Sequence, residues 1–217
     1  MDRLIRIALI IAIPLMVALA TFVFLKGAFY GAANPSDSAI RLVEIEENNG
    51  FGEICAKLHE ASVIKHCWAF GLLARMRKVD TQIKAGEYEV SPAMTPREVL
   101  EKLTKGDMLK RILTVKEGDS IWQVGEAVAT AGLMSKEEFN KSLVDQNLLA
   151  LAGVSAPSFE GYLFPETYNY SRPIKAQQII WRMLEEGEKR WTEEFQKRAD
   201  DMHLTRHEIL TLASIIE

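Results

Sequence analysis

The sequence predicts an α+β fold, and three observations carry the prediction. A strand–turn–helix unit occurs twice at a constant offset. Glu47-Asn48-Asn49-Gly50-Phe51-Gly52-Glu53-Ile54 matches Glu117-Gly118-Asp119-Ser120-Ile121-Trp122-Gln123-Val124, and the match continues through Leu58 with Val128 and Ala61 with Ala131. Residues 41–46 and 111–116, which open the two copies, alternate apolar with polar, the period of a half-buried strand. Two T-x-x-E capping boxes, Thr95 with Glu98 and Thr205 with Glu208, mark helix starts elsewhere. In each box the threonine hydroxyl accepts from the amide three residues on, and the glutamate reaches back to the cap amide.

In chain order, residues 7–25 come first as an uncharged, mostly apolar run. Nineteen residues at about 1.5 Å each come close to the roughly 30 Å hydrocarbon core of a bilayer. Arg3 and Arg6 precede the run, and positive charge stays on the cytoplasmic side, so residues 1–6 form a cytoplasmic tail and the bulk of the chain is exported. Lys26 on the far side weakens that bias, and Pro14 is tolerable in a membrane helix. A cleaved signal peptide with Gly31-Ala32-Ala33 as its cleavage site competes. The run is longer than a signal's apolar region and the site lies well past its end, which favours an uncleaved anchor. Residues 26–40 include a small, polar, turn-prone stretch and read as a linker.

Residues 41–151 read as one α+β region. Asn49 or Gly50 caps the helix of the first copy, and Asp119 or Ser120 that of the second. Between the copies, Gly86 turns the chain into a strand ending near Val90. Thr95 then caps a helix over 96–105, which Pro96 opens and Gly106 closes. The repeated unit resembles half of a LysM-type module, a small carbohydrate-binding fold. Two stacking units without a ligand stand level with that reading on fold analogy. Cys55 and Cys67 lie in exported territory and could form a disulfide. Two buried free thiols are the favoured expectation, because spacing does not establish the distance a disulfide needs.

The net charge of -4 gives no reason to expect nucleic acid, whose phosphates want a basic surface. No metal-ligand spacing occurs. His203 and His207 are four apart, but a helix cap falls between them and no third ligand stands at a recognised spacing.

Residues 158–168 hold Phe159, Tyr162, Phe164 and Tyr168 together with Glu160 and Glu166, and Gly161 and Pro165 break any helix. Exposed rings beside acids suit a sugar-binding cleft, where rings stack on pyranose faces and carboxylates take hydroxyl hydrogens. A packed turn with core aromatics is the equal alternative. Residues 173–201 read as a long amphipathic helix with a packing role. A last helix starts at Arg206. At 100° per residue, Ile209, Leu210, Leu212, Ala213 and Ile216 form one apolar arc, with Thr211 and Ser214 opposite. Glu217 falls inside that arc, and a carboxylate on a buried face gains the raised pKa that a general acid needs. The bland alternative is a solvated or ion-paired glutamate at a fraying end. No stop signal follows Ile216, so the sequence is expected to be a fragment.

The apolar run, the two LysM-like halves, FEGYLFPETY and LTLASIIE, in this order, resemble the YceG-like family, the endolytic murein transglycosylases of bacteria. The likeness spans essentially the whole chain, and the last two motifs are its specific part. It implies that Glu217, the last residue of the L-A-S-I-[IV]-E motif, is the catalytic acid/base. It also implies that residues 160–167 lie near the cleft, which makes Glu160, Tyr162, Glu166 and Tyr168 the substrate-binding candidates. The implied reaction cleaves the β-1,4 bond between N-acetylmuramic acid and N-acetylglucosamine within glycan strands and leaves 1,6-anhydro ends. The enzyme is then a lyase with no metal or organic cofactor. Implied partners are peptidoglycan strands, the membrane through one N-terminal helix, and cell-wall synthases; the implied location is the bacterial inner membrane, with the bulk periplasmic. Family members continue past this glutamate, so residues 152–217 are expected to be an incomplete catalytic domain, inactive by itself. A membrane-anchored, non-catalytic peptidoglycan-binding module, and a hydrolase using Glu160 or Glu166 as a second carboxylate, are the alternatives.

Overall fold

The computed structural model describes residues 2–216, with side chains from residue 13 onward. The fold is α+β and divides into two compact units, Met1–Leu109 and Lys110–Glu217. The region 41–151 is therefore shared between them, one strand–turn–helix copy to each.

In the first unit, helix α1 spans Asp2–Tyr30 with Pro14 inside it. Its stretch Ile13–Tyr30 has a mean hydropathy of 1.8, and only 6% of that window is buried within the chain. The helix runs past Leu25 into residues read as linker. Phe29 explains the extension, since its ring packs edge-on against Trp68 at 5.7 Å between centroids, an apolar contact that a solvated linker would forgo. Strand β1 (Arg41–Ile45) pairs antiparallel with β2 (Gly86–Val90), Arg41 facing Val90 and Ile45 facing Gly86. Helices α2 (Phe51–Glu60), α3 (Cys67–Met76) and α4 (Pro96–Lys105) complete the unit. Val43, Ile45, Leu58, Phe70, Tyr88 and Leu103 are buried together at its centre.

Cys55 and Cys67 form a disulfide with Cα atoms 5.6 Å apart, which corrects the expectation of free thiols. The turn after α2 brings the first residue of α3 back over it, within the separation that a disulfide spans. Helix α4 has the expected bounds. Thr95 Oγ1 accepts from the Glu98 amide at 3.3 Å, the Thr95 amide donates to Glu98 at 2.7 Å, and Gly106 ends the helix at φ 76°.

The second unit runs β3 (Arg111–Thr114), α5 (Ile121–Thr130), α6 (Lys136–Leu143), α7 (Gln146–Leu151), β4 (Thr167–Tyr170), α8 (Ala176–Arg190), α9 (Glu193–Asp201) and α10 (Arg206–Ile216). Strand β3 pairs antiparallel with β4, Arg111 facing Tyr170 and Thr114 facing Thr167. Leu113, Val128, Phe139, Phe159, Ile179 and Met183 lie in its core. The single helix expected over 173–201 is two helices. Thr192 breaks it: its hydroxyl accepts from the Phe195 amide at 3.3 Å and starts α9, with Glu193 and Glu194 in the favourable first turn.

Both strand–turn–helix copies use one local device. The Asn49 side chain accepts from the Glu46 amide at 2.9 Å, and Asp119 accepts from the Lys116 amide at 2.9 Å. Each bond ends its strand. The Gly50 amide then donates to Glu53 at 3.1 Å, and the Ser120 amide to Gln123 at 2.8 Å, so each helix start is capped from within.

Candidate functional site

The segment 158–168 turns on two anchors. Phe159 is fully buried and its amide donates to the Leu143 carbonyl at 3.1 Å. Gly161 takes φ +79°, a conformation that suits glycine, and the Tyr162 amide closes the turn on the Phe159 carbonyl at 3.0 Å. At the far end Tyr168 is buried in β4. Its hydroxyl donates to the Phe164 carbonyl at 2.6 Å, and burial pushes its pKa up to about 12. Between the anchors, Tyr162, Leu163, Phe164 and Pro165 are only half-buried and line an open cavity of about 810 Å³. The core-aromatic reading thus holds for Phe159 and Tyr168, while Tyr162 and Phe164 stay half-buried at the cavity.

Helix α8 forms another side of the cavity. Arg190 lies over the Phe164 ring, 5.5 Å from its centroid, and Gly187 leaves room beside Phe164. Helix α10 supplies a third through Arg206, His207, Leu210, Ala213 and Ser214. Tyr162 Oη and His207 Nδ1 are 2.9 Å apart, and the two rings stack at 5.9 Å with planes 8° apart. Partial burial raises the Tyr162 pKa. Arg206 ion-pairs with Glu188 and covers the Trp191 ring at 5.0 Å.

Helix α10 starts as its capping box dictates. The Thr205 amide donates to Glu208 at 2.7 Å, and the Glu208 amide to Thr205 Oγ1 at 3.3 Å. The hydrogen bond from the Thr205 amide, with that from its hydroxyl, holds the Glu208 carboxyl below the usual range. The apolar arc expected to be buried is not: among the described residues of α10 none is buried, Ile209 and Leu210 are half-covered, and Leu212 and Ile216 are exposed. The helix packs against α9 and leaves its later turns open.

Of the five site residues expected from the sequence, Tyr162 alone among the described ones lines the cavity. Glu160 is exposed and accepts from the Ile121 amide at 3.2 Å, satisfying an open N–H at the start of α5. Glu166 is exposed and accepts from the Thr167 amide at 3.0 Å. The Tyr168 ring belongs to the core. Glu217 lies outside the described residues. His207, weighed in the sequence only as half of a zinc pair, is the addition. Its spacing from Tyr162 carries no signal, because the two meet only once α10 has folded beside the turn. Among the described residues, no group of three or more His, Cys, Asp or Glu side chains is placed to hold a metal ion.

A model of the YceG-like family matches residues 43–217. A Streptococcus pneumoniae (strain D39) protein named endolytic murein transglycosylase is 26% identical over 201 residues, which cover 81% of this chain and 36% of that protein. A Bacillus subtilis (strain 168) protein of the same name is 24% identical over 190 residues, covering 81% and 52%. The chain thus spans about a third to a half of the length of these relatives. A crystal structure of a yceG-like protein from Listeria monocytogenes matches with a TM-score of 0.41 at 24% identity, covering 80% of this chain and 61% of that one.

Proposed function

The chain belongs to the YceG-like family, and we propose on that premise that it serves an endolytic murein transglycosylase. Its substrate is the glycan strand of peptidoglycan, and it cleaves the β-1,4 bond between N-acetylmuramic acid and N-acetylglucosamine. Glu217, protonated, gives its proton to the glycosidic oxygen as the bond to the muramyl anomeric carbon breaks. The resulting carboxylate takes the proton of the muramyl C6 hydroxyl, whose oxygen bonds to that carbon and closes the 1,6-anhydro ring. No water is consumed and one carboxylate performs both transfers, whereas ordinary glycosidases divide them between two.

The observation that carries this reading is the cavity wall on α10. Leu210, Ala213 and Ser214 line it together with Tyr162. Glu217 follows Ala213 by four residues and Ser214 by three in the sequence, the spacings that return to one helix face. Tyr162, stiffened by its stack on His207, offers a ring for a pyranose face. Glu160 and Tyr168 act at one remove, by fixing the segment that carries Tyr162, and Glu166, exposed on the same segment, takes sugar hydroxyl hydrogens.

In the same reading α1 is a single-pass anchor in the inner membrane, with its N-terminus inside after Arg3 and Arg6. The two strand–turn–helix copies act as LysM-like elements that hold glycan, and the enzyme ends nascent strands beside a cell-wall synthase.

The test is mass spectrometry of muropeptides from purified glycan treated with the protein expressed from its whole reading frame, beside its Glu217→Gln variant. Anhydro-muramyl ends that vanish with the substitution are the expected result. Hydrated reducing ends assign a hydrolase instead, and intact glycan with both proteins assigns an anchored binding module.

A further inference from the structure

The first unit exposes an apolar stripe that the proposed reaction does not use. Helix α3 buries Ala69, Phe70, Leu73 and Ala74. On its other side Trp68, Leu72 and Met76 follow each other at steps of four, which places them along one helix face. They are 50%, 43% and 72% exposed. Three large apolar side chains in a row, open to water, mark an interaction surface rather than scattered exposure.

The position of the stripe says what covers it. His66, the residue before α3, lies 6.0 Å from the Phe24 ring of α1, and Trp68 meets Phe29 of α1 at 5.7 Å. Phe24 belongs to the uncharged run that ends at Leu25. Phe29 lies four residues on, about 6 Å along the helix axis. The interfacial layer on each side of a bilayer is of similar depth, roughly 5–7 Å beyond the hydrocarbon. An α1 that crosses a bilayer therefore places Trp68 among the headgroups, the layer in which tryptophan is enriched in membrane proteins. The disulfide between Cys55 and Cys67 ties the first residue of α3 to the core of the same unit, so α3 carries the unit with it. Lys65, Arg75 and Lys78 flank the stripe and are exposed; their charges suit anionic headgroups, and their stems reach along the interface.

We propose that the Trp68–Leu72–Met76 face of α3 is a second membrane contact, which seats the first unit on the lipid surface where α1 leaves the bilayer. This rests on the reading of α1 as an anchor. The first unit is then held at the membrane by two contacts rather than swinging on a linker.

The test reconstitutes the full chain into vesicles of phosphatidylcholine and phosphatidylglycerol. The vesicles carry bromine either near the headgroup end or near the methyl end of the acyl chains. Subtracting the emission of the Trp68→Phe variant isolates Trp68 from the other tryptophans. The expected result is a blue-shifted Trp68 component that loses most intensity to bromine near the headgroup. A Trp68 component quenched by neither lipid, in protein that floats with the vesicles after alkaline extraction, overturns the second contact and leaves the anchor standing. The same insensitivity combined with shielding from acrylamide assigns the stripe to a second copy of the chain and also overturns it. Protein that fails to float removes the anchor itself, a separate failure.

Discussion

The two strand–turn–helix copies begin alike and end differently. Arg41 donates to the Ala61 carbonyl, and Arg111 to the Ala131 carbonyl at 3.3 Å. The Asn49 or Asp119 bond that ends the strand and the cap that starts the helix also recur. The copies part at the second strand. The first takes β2, and a disulfide closes its helices into a small unit. The second takes β4, the end of the segment that carries Tyr162 and lines the cavity. A local motif thus makes a scaffold twice, and the two units differ in what the chain inserts before the partner strand returns.

The largest way to break the comparison is to remove the anchor of that insert. Phe159→Ala empties a fully buried site in the second unit and should cost about 3–5 kcal/mol. Urea unfolding followed at Trp122, Trp181 and Trp191 should shift to lower denaturant, while the Trp68 signal of the first unit holds. A joint shift of both would show that the two units unfold together.

The reciprocal experiment removes the clasp of the first unit. Replacing Cys55 and Cys67 with alanine should cost about 2–4 kcal/mol in that unit, read as a lower midpoint at Trp68. The second unit, without a counterpart, should not respond, and a change there of equal size would contradict the division.

A smaller effect sharpens the likeness. Asn49→Ala and Asp119→Ala each remove the hydrogen bond that ends the strand, worth about 1 kcal/mol. The first copy should lose more, since Asn49 also accepts from Lys57 Nζ at 2.8 Å, and Ala127 stands at the matching position of the second copy. Equal losses in thermal melts would mean that the lysine contributes nothing.

The smallest effect is a pH response at two matched caps. Hydrogen bonds from the Thr95 and Thr205 amides lower the pKa values of Glu98 and Glu208 in the folded state. Their contribution is therefore present above the unfolded carboxylate pKa and is lost as pH falls through the folded value. Helix α4 buries Val99, Leu100 and Leu103 and should hold, whereas α10 has no buried residue among those described and should fray first. Hydrogen-exchange protection factors, corrected for the slower intrinsic exchange in acid, read this on acidification. Glu208→Gln should abolish the pH dependence in α10, and an α10 whose protection factors do not fall in acid would reject the cap as its support.

These contrasts divide along the range of the forces involved. Helix α4, the capped starts of α2 and α5, the strand starts at Arg41 and Arg111, and the start of α10 were legible in the sequence. Each rests on a side chain bonding backbone within about four residues, or on an alternation that needs only one apolar side. The same rule explains a miss: Thr192 is an ordinary cap whose signal was overridden by the amphipathic period running through it. The disulfide, the pairing of β3 with β4, the stack of Tyr162 on His207 and the contact of Phe29 with Trp68 join residues far apart in the chain. Their existence depends on where the backbone goes after each turn, which no local period encodes. The sequence by itself determined the class of fold, the helix boundaries at capped ends and the family resemblance. Only the tertiary structure decided which rings of one aromatic segment became core and which lined a cavity. Burial belongs to the surrounding elements, not to the residue, and the four aromatics of 158–168 are chemically too similar for sequence to sort.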